Sequence, residues 1–297
     1  MNDLVSIIIP TKDRPDSLIK AIDSIFSQTY EYFEIILISD GNSDKTNKLI
    51  DKYFSNSEKI KIIYLKSSVG AAEARNIGIN KSQGDYIAFL DDDDTWEKTK
   101  LKKQLNVFNM FSDTAIVSCF YNKNENGKLS LVKSNTTIDK NQILYINYPG
   151  SFSFCMIKKK DLSKIVIPKF LNKAQDWYLW ISILTSSNKK CRIIPEPLVT
   201  YNTEAENRIT QKNIMSHFKR IEFYREIWGL MNKKQRLYNL RVLMNEKNSV
   251  SGTSILLSYR LSLFSLKLHI SSRYNITFYE LFRNLIFLKK IFKKKTF

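Results

Sequence analysis

Four consecutive aspartates, Asp91–Asp94, follow a short apolar run in the first half of the chain. The run Tyr86–Leu90 is rich in β-forming residues, so it predicts a buried strand that ends at the aspartates. Adjacent carboxylates repel one another unless a cation or fixed donors offset their charge. In extended backbone Asp91 and Asp93 face the same way, and their oxygens suit Mn²⁺ or Mg²⁺ shared with a phosphate-bearing substrate. A solvated acidic turn is the alternative, because a bare DxD motif is common.

Short apolar runs alternate with helical patterns over the first 95 residues. The apolar runs predict strands, and apolar residues three and four apart between them predict amphipathic helices. This alternation indicates an α/β fold with a mainly parallel sheet, whose ligands bind at the carboxyl ends of the strands. The predicted strands are Leu4–Pro10, Phe33–Ile38, Ile60–Leu65 and Tyr86–Leu90. One predicted helix starts at Pro15, a second spans about Lys45–Phe54, and a third spans Gly70–Lys81.

The pattern continues less regularly to about residue 210. Helices are predicted at Glu97–Phe111 and Ala174–Leu184, and strands at Ala115–Tyr121, Leu129–Val132, Phe152–Ile157 and Leu198–Tyr201, the first two strands forming a hairpin. Strand signals then stop and helical periodicity with basic residues continues. The sequence therefore predicts an α/β domain over 1–210 and a basic helical C-terminal region over 211–297.

The charge of the chain is concentrated in this C-terminal region. The 297 residues carry a net charge of +18, and residues 211–297, with 18 Lys or Arg and 4 Glu, account for +14 of it. Such asymmetry indicates an anionic partner, either nucleic acid or a membrane surface.

The last segment has the pattern of a basic amphipathic helix. Arg283, Lys290 and Lys294 fall opposite an apolar stripe made by Phe278, Leu281, Leu285, Leu288 and Phe292. Such a helix can lie in a membrane interface, and the lysine-rich end KKIFKKKTF suits anionic headgroups. The alternative is a helix that packs on the protein's own core with a solvated basic face.

Several common signals are missing from the sequence. The three cysteines, Cys119, Cys155 and Cys191, show no metal or disulfide spacing, so we expect them to be reduced and buried. The N-terminus lacks the pattern of a signal peptide, and no apolar run approaches the ~20 residues of a membrane span. We expect a cytoplasmic protein, peripheral at the inner face of the cell membrane.

A series of motifs in fixed order resembles the family 2 glycosyltransferases. The motifs are VSIIIPTKDRP from Val5, SQTY from Ser27, EIILISDGNSD from Glu34, GAAEARNIGIN from Gly70, GDYIAFLDDDD from Gly84 and QDWYLWISIL from Gln175. Each motif alone is weak, but together they cover about residues 4–210 in the expected order. The resemblance implies a GT-A fold, which is Rossmann-like, and inverting sugar transfer from a nucleotide-sugar donor.

The resemblance implies a donor site at the ends of the first strands. Pro10, Thr11 and Arg14 match the loop that contacts base and ribose, and Asp40 matches the carboxylate that accepts a hydrogen bond from the uracil or thymine N–H. The alternatives are a surface charge for Arg14 and an Asx turn for Asp40. Arg75 matches a position near the donor, where a guanidinium contacts phosphate or forms a salt bridge to the acidic turn.

The acidic run and two later residues complete the implied site. Asp93, with Asp91, matches the ligands of the divalent cation, and Asp92 matches a ribose contact. Asp176 matches the general base that takes the proton of the acceptor hydroxyl, and the helix N-terminus favours its ionised form. Gln175 stands where the family usually has Glu, and Asp176 as a simple helix cap is the alternative. Arg208 is a looser match to residues that close over the donor phosphates or acceptor.

The sequence therefore predicts a metal-dependent, inverting glycosyltransferase using Mn²⁺ or Mg²⁺. It would move a sugar from a UDP- or dTDP-sugar to a hydroxyl of a saccharide or lipid-linked saccharide, in bacterial surface-polysaccharide synthesis. The alternatives are a nucleic-acid-binding protein, for which no recognised motif is present, and an inactive glycosyltransferase-like binding module. A nucleotidyltransferase also fits Asp ligands on an α/β sheet, but it lacks this motif order. No nucleic-acid partner is expected.

Overall fold

A computed structural model describes residues 3–41, 44–162, 164–203 and 214–247 of the chain. The predicted candidate Arg208 and the amphipathic pattern of residues 278–292 lie outside these ranges. Within them the strands are β1 (Val5–Thr11), β2 (Phe33–Asp40), β3 (Ile60–Leu65), β4 (Tyr86–Phe89), β5 (Thr95–Trp96), β6 (Thr114–Glu125), β7 (Lys128–Val132), β8 (Thr137–Ile138), β9 (Met156–Lys158) and β10 (Lys190–Asn202). The helices are α1 (Pro15–Phe26), α2 (Asp44–Phe54), α3 (Ala71–Lys81), α4 (Lys100–Met110), α5 (Gln175–Ser186), α6 (Ile214–Ile227) and α7 (Lys233–Lys247).

One mixed sheet runs in the order β3-β2-β1-β4-β9-β6-β10-β5. The first four strands of this order are parallel, and β6 and β10 form a second parallel pair. The short strand β9 joins the two groups and is antiparallel to both β4 and β6. This arrangement confirms the predicted α/β fold and brings the carboxyl ends of β1, β2 and β4 to one edge of the sheet.

The core lies on both faces of the parallel strands. Ile7, Ile8 and Ile9 are all fully buried, as expected for a central strand with helices on either side. Helix α3 approaches this strand closely, because it carries small residues where it meets the sheet. A Cβ atom placed on Gly78 would lie 2.5 Å from Cγ2 of Ile8. This close approach sets the depth at which Arg75, one turn earlier, enters the carboxyl edge of the sheet.

Two predicted strands differ from the structure. The expected strand Phe152–Ile157 begins as a single 3₁₀ turn, Phe152–Phe154, and only Met156–Lys158 pairs with neighbouring strands. The expected strand Leu198–Tyr201 is the end of the longer β10, which is irregular between Ile194 and Val199. Pro195 and Pro197 lie in this stretch, and proline has no N–H to donate to a ladder, so the strand signal is interrupted there.

Helices α6 and α7 pack on the α/β domain. Phe223, Tyr224, Ile227 and Trp228 are buried and belong to the same hydrophobic core as the sheet. These helices agree with the helical periodicity predicted after Gln211, while the division of the chain at 210 stays a prediction.

Among the described residues, no helix has the length and apolar character needed to cross a membrane.

Candidate active site

A cavity of about 780 Å³ opens at the carboxyl edge of β1, β2 and β4. Its wall includes nine of the ten residues singled out from the sequence, and the tenth, Arg208, lies outside the described residues. The nine are Pro10, Thr11, Arg14, Asp40, Arg75, Asp91, Asp92, Asp93 and Asp176. They come from five separate segments of the chain, so the structure brings them together as predicted, although their roles stay predictions.

The acidic run Asp91–Asp94 is a turn, so the expectation of extended backbone is wrong. The backbone N–H of Asp94 donates to the carbonyl of Asp91 over 3.1 Å and closes this turn. The turn places carboxylate oxygens of Asp91, Asp93 and Asp94 within 4.8 Å of one another. The turn therefore brings three carboxylates together, whereas the spacing of two residues in extended backbone predicted only Asp91 and Asp93.

Asp92 points to a different set of partners. The hydroxyl of Thr11 donates to Oδ2 of Asp92 over 2.8 Å, and Nη1 of Arg14 lies 2.9 Å from Oδ1. The same guanidinium nitrogen is 3.3 Å from Oδ2 of Asp93. Burial raises the pKa of Asp92, and the charge of Arg14 opposes that shift. Arg14 is thus part of the acidic turn's surroundings, not a remote surface charge.

The three converging carboxylates fit a divalent cation. Asp94 is fully buried; its Oδ1 accepts from the N–H of Asn202 over 3.1 Å, while its Oδ2 has no hydrogen-bond partner among the residues that the structure describes. Burial, with the charges of Asp91 and Asp93, raises the pKa of Asp94 well above its usual range. Hard oxygen ligands of this kind, one of them unsatisfied, suit Mn²⁺ or Mg²⁺. The sequence prediction named only Asp91 and Asp93 as metal ligands. The position of Asp94 in the same acidic run was the signal that could have added it.

Arg75 links the acidic turn to the start of α5. Its Nη2 lies 2.5 Å from Oδ1 of Asp91, and its Nη1 donates to Oε1 of Gln175 over 3.0 Å. The guanidinium also lies 4.1 Å from the centre of the Phe152 ring. The salt bridge considered as an alternative role for Arg75 is therefore present, and it lies inside the cavity. Gln175, at the position where Glu is usual in the family, is a neutral acceptor for Arg75.

Asp40 holds the loop that leads into α3. Its carboxylate accepts hydrogen bonds from the N–H groups of Val69 at 2.6 Å and Gly70 at 3.0 Å, and from the hydroxyl of Ser68 at 3.0 Å. Because a carboxylate offers about four acceptor positions, these three bonds leave capacity for one more donor. The carboxylate therefore supports the loop and can still accept a ligand N–H.

Asp176 is the second residue of α5 and faces the acidic turn across the cavity. Its Oδ1 accepts from the N–H of Trp177 over 2.7 Å, while the helix cap position belongs to Ala174. Burial, helped by the charge of Asp91, raises the pKa of Asp176 to about 6 against the opposing effects of the Trp177 N–H and Arg75. The Trp177 N–H at the helix N-terminus favours the ionised form, in line with the expectation, but burial outweighs this effect and the pKa rises overall. The carboxylate remains mostly ionised at neutral pH and can accept a proton.

Aromatic side chains that sequence reasoning did not assign form another part of the wall. The rings of Tyr121 and Phe154 are stacked with centroids 4.3 Å apart, and the ring of Tyr201 meets Phe154 edge-on at 5.6 Å. All three line the cavity. Their positions depend on the pairing of β6 with β10, which no local pattern in the sequence reveals.

A comparison with known proteins decides the family. The family model for glycosyl transferase family 2 matches residues 6–166, which is more than half of the chain. The chain belongs to glycosyl transferase family 2. It is an enzyme of the glycosyltransferase class, and one of its curated relatives is named for teichuronic acid biosynthesis.

Two curated relatives illustrate the likeness of this family 2 glycosyltransferase. It is 30% identical over 194 residues to the putative teichuronic acid biosynthesis glycosyltransferase TuaG of Bacillus subtilis, an alignment that covers 61% of this chain and 72% of TuaG. It is 31% identical over 204 residues to WfaP of Escherichia coli, named as a UDP-Glc:α-D-GlcNAc-diphosphoundecaprenol β-1,3-glucosyltransferase, covering 63% of this chain and 72% of WfaP.

A solved structure supports the fold. The structure of S. aureus TarS residues 1–349 in complex with UDP-GlcNAc superposes with a TM-score of 0.66 over 83% of this chain and 73% of TarS, at 19% sequence identity. At this level of identity the likeness concerns the fold alone, and it confirms the predicted GT-A architecture.

Proposed function

We propose that this family 2 glycosyltransferase is metal-dependent and inverting. It moves one sugar from a UDP- or dTDP-sugar to a hydroxyl of a saccharide or lipid-linked saccharide in bacterial surface-polysaccharide synthesis. The observation that carries the proposal is a single cavity whose wall holds Asp176, two of the three converging carboxylates (Asp91 and Asp93) and the Thr11–Asp40 edge of the sheet.

The donor is held by residues that lie at or after the carboxyl ends of the first four strands. Asp40 accepts the imide N–H of the uracil or thymine ring, and Pro10, Thr11 and Asp92 border the ribose. Arg14 and Arg75 supply guanidinium donors near the diphosphate, where planar forks match phosphate oxygens. These roles are supported by the common placement of the six residues in the cavity wall.

Asp93 and Asp91 are the proposed ligands of the divalent cation, and Asp94 is available as a third. Mn²⁺ or Mg²⁺ bound there would act as a Lewis acid for the leaving nucleoside diphosphate. Arg75 holds Asp91 from the other side, and Asn202 holds Asp94 through its backbone N–H. Nη1 of Arg14 lies 3.3 Å from Oδ2 of Asp93, so the chain itself contacts all three carboxylates.

Asp176 is the proposed general base. Its carboxylate takes the proton of the acceptor hydroxyl while that oxygen forms a bond to the anomeric carbon of the donor sugar. The bond between this carbon and the diphosphate oxygen breaks on the opposite face, so the nucleoside diphosphate leaves with the electron pair and the configuration inverts. A base with a pKa of about 6 is well matched to this task near neutral pH.

Membrane-linked substrates suit the proposed acceptor and location. WfaP is named for a diphosphoundecaprenol-linked acceptor, which supports a lipid-linked saccharide for this chain as well. We infer that the enzyme is cytoplasmic and peripheral at the inner membrane face, held by the basic region 211–297. Arg208 remains a candidate contact to the donor phosphates or acceptor.

The test is donor binding and turnover across UDP-, dTDP- and GDP-sugars, each with Mn²⁺, Mg²⁺ or EDTA. We expect one UDP- or dTDP-sugar to bind only with metal, Asp93→Ala to abolish that binding, and Asp176→Asn to keep binding while losing turnover. Asp85→Asn, an exposed aspartate at the amino end of β4, is the matched control and should behave as wild type. If no nucleotide sugar binds under any condition, the proposal is wrong, and the basic region should be tested on nucleic acid.

A further inference from the structure

The first turn of α5 is supported by α6. Trp177 directly follows Asp176, and its ring centroid lies 4.9 Å from that of Phe223 and 6.2 Å from that of Tyr224. Phe223 and Tyr224 are almost completely buried. The indole N–H of Trp177 donates to the carbonyl of Ile143 over 2.7 Å, which ties the same turn to the segment 141–147.

That segment is in turn held by α7. Asn239, which is fully buried, donates from Nδ2 to the carbonyl of Leu144 over 2.9 Å and accepts at Oδ1 from the hydroxyl of Tyr224 over 3.1 Å. Gln235 donates to the carbonyl of Asn141 over 2.9 Å. Tyr224 and Asn239 therefore connect α6, α7 and the segment in one hydrogen-bonded chain.

Both supported elements contact the Asp176 carboxylate directly. The N–H of Trp177 donates to its Oδ1 over 2.7 Å, and the side chain of Asn147, at the end of the segment, lies close enough to lower the pKa of Asp176 through hydrogen bonding. The charged groups that act on this carboxylate are Arg75 from α3 and Asp91 from the acidic turn. Among the described side chains, α6 and α7 add no charged group to this set, so they affect its position and not its local field.

We propose that α6 and α7 are part of the active site, as the element that positions the Asp176 carboxylate. Trp177, Tyr224 and Asn239 are positioning residues that act through the first turn of α5 and through Asn147. The inference rests on the proposed role of Asp176 as general base. It changes the expected relation of region 211–297 to the enzyme, because the start of this region then belongs to the catalytic unit.

The kinetic test uses the full chain with Tyr224→Phe, Asn239→Leu and Trp177→Phe. A misplacement of ~1 Å can cost ~100-fold in rate, so we expect kcat to fall ~10-fold or more in Asn239→Leu and Trp177→Phe and less in Tyr224→Phe, with the donor KM within ~2-fold of wild type. Matched controls remove similar groups far from α5. Tyr30→Phe deletes a hydroxyl bonded to the carbonyl of Asp3, and Gln28→Leu deletes a buried amide with three bonds.

The controls should lower the melting temperature to a similar degree but keep kcat. The inference is overturned if kcat in the three variants follows thermal stability in the same way as it does in Tyr30→Phe and Gln28→Leu. A donor KM that rises while kcat is kept also overturns it, since the base acts on the acceptor hydroxyl.

A second readout does not depend on turnover. Hydrogen exchange of the backbone amides of residues 174–178 should accelerate in Asn239→Leu, while exchange in β1 and β2 stays as in wild type. A uniform acceleration over the whole core indicates simple destabilisation and contradicts the inference. If wild type transfers no sugar, the proposed function fails, yet local exchange at α5 still decides whether α6 and α7 hold this turn.

Discussion

Asp176 combines two opposing demands at the scale of one residue. Burial raises its pKa from the ordinary 3.8 to about 6, so the folded protein favours the protonated carboxyl more than the unfolded chain does. The charged form therefore destabilises the fold above pH about 6, and this penalty disappears as the pH falls towards 3.8. Catalysis needs the charged form, so the proposed base is functional at a cost in stability.

Asp176→Asn should therefore raise stability while abolishing turnover. One unit of pKa shift corresponds to ~1.4 kcal/mol, so at neutral pH and above we expect a gain of ~1–3 kcal/mol in the free energy of unfolding. Near pH ~3 the wild-type carboxyl is protonated in both states, and the gain should vanish. Denaturant unfolding at several pH values measures this, with Asp85→Asn as control. A loss of stability at neutral pH would contradict the assigned burial cost.

The unsatisfied oxygen of Asp94 leads to a second prediction at this scale. Asp94→Asn removes a buried carboxyl whose ionised form is disfavoured beside Asp91 and Asp93, and it keeps an oxygen for the N–H of Asn202, so the metal-free variant should melt at a higher temperature than wild type. A ligand present at ~100 times its Kd stabilises by ~2.7 kcal/mol. We expect Mn²⁺ to raise the melting temperature of wild type and to do so much less in the variant.

Thermal unfolding with and without Mn²⁺ checks this expectation. Asp85→Asn should keep the full increment of wild type, because that aspartate is exposed at the opposite end of β4. An Asp94→Asn variant that also keeps the full increment would show that Asp94 is not a ligand and serves only the turn.

At the scale of elements, the close contact of α3 with β1 determines where Arg75 lies. In Gly78→Ala the added Cβ would meet Cγ2 of Ile8 at 2.5 Å, and this methyl group can move only if χ1 of the fully buried Ile8 rotates against its packed neighbours. Overpacking of this kind costs ~1–3 kcal/mol, while the better helix propensity of alanine returns ~1 kcal/mol. The net effect should be destabilising, and donor affinity should fall because Arg75 moves with the helix.

The control for this prediction is Asn80→Ala, an exposed position on the same helix. It improves helix propensity without a steric conflict, so it should stabilise slightly and leave donor binding unchanged. Denaturant unfolding and donor titration compare the two variants. Equal stability of Gly78→Ala and Asn80→Ala would mean that Ile8 can move to accommodate the added methyl group, which contradicts the prediction.

Elements with strong local signals could be predicted from the sequence, and those defined by distant partners could not. The continuous apolar run of β1 and the helix starting at Pro15 agree with the structure nearly to the residue. By contrast, β9 is three residues long and exists because β4 and β6 flank it. Four consecutive aspartates are compatible with many backbone conformations, and contacts with distant residues such as Thr11, Arg14 and Asn202 select the turn.

At the scale of the whole molecule, the cavity joins parts of the chain that are far apart in sequence. Parallel strands bring their carboxyl ends to one edge, so the sequence could place Thr11, Asp40 and Asp93 together. The aromatic wall and Asn147 could not be foreseen, because they depend on how the irregular second half packs against the first. The position of α6 could not be predicted for the same reason. Its contact with Trp177 in the shared core joins residues at least 46 positions apart in the sequence.

The uneven charge of the whole chain leads to the last prediction. Residues 211–297 carry +14 of the net +18, and we expect the full chain to bind vesicles with anionic lipids but not neutral ones. Each lysine near an anionic surface contributes ~1 kcal/mol, so replacing Lys293–Lys295 by glutamine should weaken binding ~100-fold. Added salt should weaken binding as well, because it screens exposed charges.

Vesicle sedimentation over a lipid titration measures this affinity. The matched control replaces three exposed lysines of α2 by glutamine, giving the same change in net charge at Lys45, Lys48 and Lys52. If the two triple variants lose affinity equally, the whole charge of the molecule and not the C-terminal cluster is responsible. If neither loses affinity, or if neutral vesicles bind equally well, electrostatic attraction is not what brings this glycosyltransferase to a lipid-linked acceptor.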